Sequence, residues 1–103
     1  MGYRRFRFTR RAENEARPLV ATALQYDREK GGAPRVVATG QRKVAEQILA
    51  EARRHNILIY EDTALTSALA MVNLGEEIPP DLYQVVAQVL AYVYRVTESR
   101  DRH

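Results

Sequence analysis

The sequence contains no cysteine and no tryptophan, and only two histidines among its 103 residues. Without cysteine, disulfides and cysteine-based metal or nucleophile sites are excluded, and a reducing, cytoplasmic setting is the expectation. His55 falls at the end of a predicted helix and His103 is the last residue, so neither belongs to a group with metal-ligand spacing. No metal or cofactor is therefore expected. No apolar run approaches the ~18 to 20 residues that span a bilayer, and the start, "MGYRRFRFTRR", lacks the apolar stretch of a signal peptide. "KGGAP" has neither the ordered glycines of a dinucleotide fingerprint nor the Lys-Ser/Thr of a phosphate loop, and it precedes a strand rather than a helix. The acid pairs Glu61-Asp62 and Glu76-Glu77 flank predicted helix ends, where capping accounts for them. The expectation is a protein that is not an enzyme.

Acid is also missing from residues 1–11, which hold Arg4, Arg5, Arg7, Arg10 and Arg11. The whole chain is net +3, so the other 92 residues are net −2 and the basic character belongs to a lead-in. Within it Arg5, Phe6, Arg7 and Phe8 alternate, which would put two rings on one face and two cations on the other if the segment is extended. Three readings stay open for this segment. It is a flexible or edge-strand lead-in over residues 1–17, a contact for anionic lipid or a partner protein, or a nucleic-acid contact with Tyr3, Phe6 and Phe8 stacking on bases. Deleting residues 1–11 would then separate nucleic-acid binding from docking through the folded domain.

Beyond the lead-in, the residues are patterned for an α/β domain. "LVATALQY", residues 19–26, reads as a strand of small and β-prone residues beside a close neighbour, and Pro18 before it reads as an edge marker. "DREKGGAP", residues 27–34, is a loop by its charges, glycines and proline. "RVVATG" is a second strand, and from Gln41 a helical stripe of Val44, Ile48, Leu49 and Ala52 begins. Arg53, Arg54 and His55 suit the C-terminus of that helix, and Asn56 can take the left-handed conformation after it. "ILIY", residues 57–60, is a third strand covered on both faces, which completes a βαβ unit.

A second helix is predicted over residues 64–75, capped by Asp62 or Thr63, striped by Leu65, Leu69 and Val72, and stopped by Gly75. Pro80 fits the first turn of a last helix that is apolar almost all round. Leu82, Val85, Val86, Val89 and Val93 lie on one face; Tyr83, Ala87, Leu90, Ala91 and Tyr94 lie on the other. Such a helix is either sandwiched in the core or meets a partner. Residues 98–103 read as a polar, frayed tail. The predicted architecture is a small central sheet of about four strands with a βαβ unit, surrounded by three to four helices, in one domain over residues 18–97.

The words "ALQYDREKGGAPRVVATG", "VAEQILAEARRHNILIYED" and "EIPPDLYQVVAQVLAYVYRV", in that order, resemble the cytoplasmic domain of the FlhB/YscU family. These proteins are the substrate-specificity switch of flagellar and related type III export systems. The resemblance implies a compact α/β domain exposed to the cytoplasm beneath the export gate, with export components or export substrates as partners. Its candidate partner contacts are the loop Asp27, Arg28, Glu29, Lys30, Gly31, Gly32, Ala33 and Pro34 together with Arg4, Arg5 and Arg7. Family members that act as the switch cleave themselves at Asn-Pro-Thr-His before the "A-x-x-Y" strand. That motif falls here on Ala16, Arg17, Pro18 and Leu19, none of which matches it. Asn14, Asn56 and Asn73 are followed by Glu, Ile and Leu, so no Asn-Pro exists in the sequence. The expectation is a chain without autocleavage, similar to family members that consist of the cytoplasmic domain alone if the sequence is complete.

Overall fold

The computed structural model describes residues 3–27 and 29–101. Strands β1 (Tyr3–Arg10), β2 (Val20–Asp27) and β3 (Arg35–Gln41) are followed by helix α1 (Lys43–Arg54) and strand β4 (Leu58–Glu61). Helix α2 (Thr63–Leu69), a 3-10 turn (Pro80–Leu82) and helix α3 (Tyr83–Asp101) complete the chain. The four strands form one mixed sheet in the order β3-β2-β1-β4. This is the expected α/β architecture; within its βαβ unit β3 and β4 do not adjoin, because β2 and β1 lie between them in the sheet.

The basic lead-in is an inner strand of that sheet. β1 pairs antiparallel with β2, placing Phe6 opposite Leu24 and Phe8 opposite Thr22, and parallel with β4, placing Phe8 opposite Tyr60. The alternation that puts Phe6 and Phe8 on one face explains why: both rings enter the core, at 5% and 0% exposure. Phe8 also meets the Tyr60 ring edge-on with centroids 6.0 Å apart. β2, flanked by β3 and β1, is likewise interior, so the buried Pro18 precedes the pairing rather than marking a sheet edge.

The two faces of the sheet are built from different side chains. On one, Phe6, Phe8, Leu24 and Val36 pack against Leu65 and Leu69 of α2, Val86 of α3 and Ile78. On the other, Ala21 packs with Ala45 and Leu49 of α1, joined by Leu19, Ile48 and Ile59. Gly40 belongs to this second face. A Cβ there would lie 2.3 Å from Cγ1 and 2.7 Å from Cβ of Val44, closer than packed carbon atoms tolerate. Val44, expected on the buried stripe, covers that glycine but is itself half exposed.

Helix ends follow local chemistry at some positions and tertiary pairing at others. Asp62 caps α2, its Oδ1 accepting the Leu65 N–H at 2.9 Å, and Asn56 takes φ 55° after α1 as expected. α2, however, stops at Leu69 rather than at Gly75. The segment after it is recruited by the outer edge of β3: Gly75 N–H donates to Val36 O, Val36 N–H to Glu76 O, and Ile78 N–H to Pro34 O. Gly75, at φ 87°, shapes the turn onto β3 instead of ending a helix. α3 runs on to Asp101 through most of the segment expected to fray. It is not sandwiched: Val86 is buried, while Tyr83, Val85 and Tyr92 are half exposed or more.

Candidate functional site

Hydrogen bonds to Asp27 shape the described part of the loop between β2 and β3. Asp27 Oδ1 accepts the N–H groups of Glu29 and Lys30 at 3.0 and 3.4 Å, and Asp27 O accepts Gly31 N–H at 3.1 Å. Gly31 and Gly32 then take φ 69° and 80°, which ordinary side chains resist. The loop's far end is fixed by the Ile78–Pro34 hydrogen bond and by Arg35, which reaches Gly75 O at 2.5 Å and Glu77 Oε2 at 3.4 Å.

This geometry opens an apolar groove of about 300 Å³ between the loop and α3, lined by Tyr26, Gly32, Ala33, Pro34, Tyr83, Val86, Ala87 and Leu90. Only the apolar half of the candidate loop takes part. Asp27, Glu29, Lys30 and Gly31 shape the turn and do not line the groove, and Arg28 lies outside the described residues, as does His103. The α3 side of the site was missing from the candidate residues. Its signal in the sequence was the excess of apolar positions around the last helix, more than one core face can absorb.

The candidate arginines are divided between the two faces. Arg4 is opposite Tyr26 in the sheet, on the groove side. Arg5 and Arg7 alternate with Phe6 and so lie on the α1 side, Arg7 half buried and Arg5 exposed. Burial lowers the pKa of Arg7, the charge of Arg5 lowers it further, and Glu51 partly opposes both. The base-stacking reading of this segment fails for Phe6 and Phe8, which are buried in the core and cannot meet a base, while the Tyr3 side chain lies outside the described residues.

The four positions onto which the resemblance maps the cleavage motif, Ala16, Arg17, Pro18 and Leu19, lie in and just after the tight β1–β2 turn. Asn14 Oδ1 accepts the N–H groups of Ala16 and Arg17, each at 2.9 Å, and Arg17 N–H also donates to Asn14 O at 3.1 Å. Pro18 is buried, and Leu19 is half buried with its carbonyl accepting Arg42 N–H at 2.9 Å. Arg42 also donates from Nη2 to Glu15 O at 2.6 Å, so the start of α1 clamps this turn from both sides.

Residues 19–93 match the model of a family described as the FlhB HrpN YscU SpaS Family. The chain belongs to that family. It is 39% identical over 79 residues to the uncharacterized protein YlqH of Bacillus subtilis (strain 168), covering 77% of this chain and 85% of YlqH. It is 37% identical over 80 residues to the flagellar biosynthetic protein FlhB of the same strain, covering 77% of this chain but 22% of FlhB. The chain thus spans most of one relative and about a fifth of the other. Among crystal structures, the cytoplasmic domain of FlhB from Shewanella putrefaciens superimposes with a TM-score of 0.75 at 33% identity, over 91% of this chain and 70% of that one. A mutated EscU C-terminal domain superimposes with a TM-score of 0.69 at 26% identity, over 82% and 81%. The groove and the β1–β2 turn are thereby placed on the cytoplasmic-domain fold of an export-switch family.

Proposed function

We propose that the chain is a non-enzymatic adaptor of the flagellar or a related type III export apparatus, working on the cytoplasmic side of the export gate. The observation that carries this reading is the groove between the Gly32–Pro34 segment and α3. Its volume of about 300 Å³ lies at the lower end of the ~300–1,000 Å³ typical of ligand pockets, room for one or two aliphatic side chains of a peptide. The loop wall is fixed before any partner arrives, which reduces the ordering cost of binding. Tyr26 and Tyr83 add rings with polar tips at its rim, a composition typical of protein contacts.

NMR titration of the chain with cytoplasmic domains of export-gate components and with export substrates tests the adaptor reading. The expected result is shifts centred on Gly32, Ala33, Ala87 and Leu90, abolished by Ala87→Asp, a change at an exposed position that leaves the core intact. No binding up to tens of micromolar protein overturns it.

The same reading holds that the chain does not cut itself. Ala16 carries no side-chain amide to attack its carbonyl, and Asn14 is followed by Glu15 with its Oδ1 engaged by two backbone N–H groups. The purified chain is expected to run as a single band on a denaturing gel, and a fragment boundary between residues 14 and 20 would refute this.

A further inference from the structure

On the α1 side of the sheet, two guanidinium groups lack an ion-paired carboxylate among the described residues. Arg5 and Arg7 sit two residues apart on β1, and among the described residues no acid lies within ion-pair distance of either. Arg7 is half buried; its Nε is enclosed without a hydrogen-bond partner, and its Nη1 reaches only the backbone oxygen of Phe6 at 3.1 Å. Glu51, the acid that most favours the Arg7 charge, has both oxygens engaged by Arg54 and His55. A half-buried cation beside a second cation, with its local carboxylate already taken, is an arrangement that an incoming anion relieves.

The spacing specifies which anion. Arg5 and Arg7 are about 6.6 Å apart along β1, the repeat between alternate residues of an extended peptide. Gln25, paired with Arg5, and then Arg35, paired with Gln25, lie beside Arg5 across the strands, at right angles to the line from Arg5 to Arg7. Arg35 already holds Glu77 at 3.4 Å and Glu51 stands near Arg7, so the cationic patch has a carboxylate at each of these two limits. A ligand laid along β1 with one charge at every second residue meets both arginines, whereas a densely charged polyphosphate would also be repelled by those two acids. We infer that this face binds an extended acidic peptide segment, with carboxylates at alternate positions held by Arg5 and Arg7 and a backbone or side-chain amide contact from Gln25.

Fluorescence anisotropy with a labelled alternating Glu-Ser octapeptide, against the same peptide with Gln in place of Glu, tests the inference on the full chain. The Glu peptide is expected to bind and the Gln peptide not. Arg5→Gln is expected to weaken binding by about fivefold or more, and raising the salt from about 50 mM to about 0.5 M to weaken it further. Arg7→Gln should act in the same direction; because Arg7 is half buried, the exposed Arg5 variant keeps the test decisive if the Arg7 variant misfolds. Equal binding of the two peptides, or indifference to Arg5→Gln, overturns the inference. So does an oligo-dT or a phosphatidylserine vesicle that binds through Arg5 more tightly than the Glu peptide.

Discussion

The two faces of the sheet are covered by helices in opposite ways. On the α2/α3 face the inward side chains are large, Phe6, Phe8, Leu24 and Val36, and they hold α3 away from the strands. The stand-off leaves a crevice that the β2–β3 loop walls on its open side. On the α1 face Ala21, Ala23 and Gly40 meet Ala45 and Ala52, so the helix lies close to the strands and seals what it covers. A single helix of twelve residues cannot cover the whole face, and beside it Arg5 is exposed and Arg7 half buried. Side-chain size on each face therefore decides what it offers a partner, an apolar crevice on one and cations on the other.

Five substitutions would sharpen that contrast. Phe8→Ala removes the largest fully buried side chain from the crevice face and should cost about 3–5 kcal/mol, read from thermal or denaturant unfolding. That is a large share of the ~5–15 kcal/mol holding a domain of this kind together. Gly40→Ala inserts one methyl group where α1 approaches most closely and should cost about 1–3 kcal/mol. Adding Val44→Ala removes the Cγ1 contact but keeps Cβ 2.7 Å away, so it should restore only part of that loss, and full additivity of the two changes would show that the close approach is not the cause. Asp62→Ala removes the α2 cap and should cost about 1 kcal/mol by the same unfolding measurement. Arg11→Ala breaks the exposed ion pair with Glu61, 2.8 Å long, and should change stability by less than about 1 kcal/mol.

Much of this architecture was legible residue by residue. β2, β3 and α1 announce themselves because their patterns are local: alternation, a loop rich in glycine, a helical stripe. The loop half of the groove was readable for the same reason, since two glycines and a proline must turn the chain. β1 was misjudged although its alternation was visible. Its arginines resemble a tail when counted as charge, and only pairing with β2 and β4, distant in sequence, makes it an inner strand. The length of α2 was misjudged in the same way. Val72 continues the helical stripe, yet the hydrogen bonds of Gly75, Glu76 and Ile78 to β3 and its flank pull the chain away after Leu69.

The inner position of β1 changes where the chain can be cut. Among the described residues β4 has β1 as its sole strand neighbour in the sheet, so Tyr3–Arg10 is the seam that joins β4 to β2 and β3. The family match begins at residue 19, after that seam. A truncation drawn at the similarity boundary, or one removing residues 1–11 to isolate the role of the arginines, would take the middle out of the sheet along with the charge. The unit that is recognised by kinship is therefore smaller than the unit that folds, and charge on β1 is better altered one side chain at a time than removed.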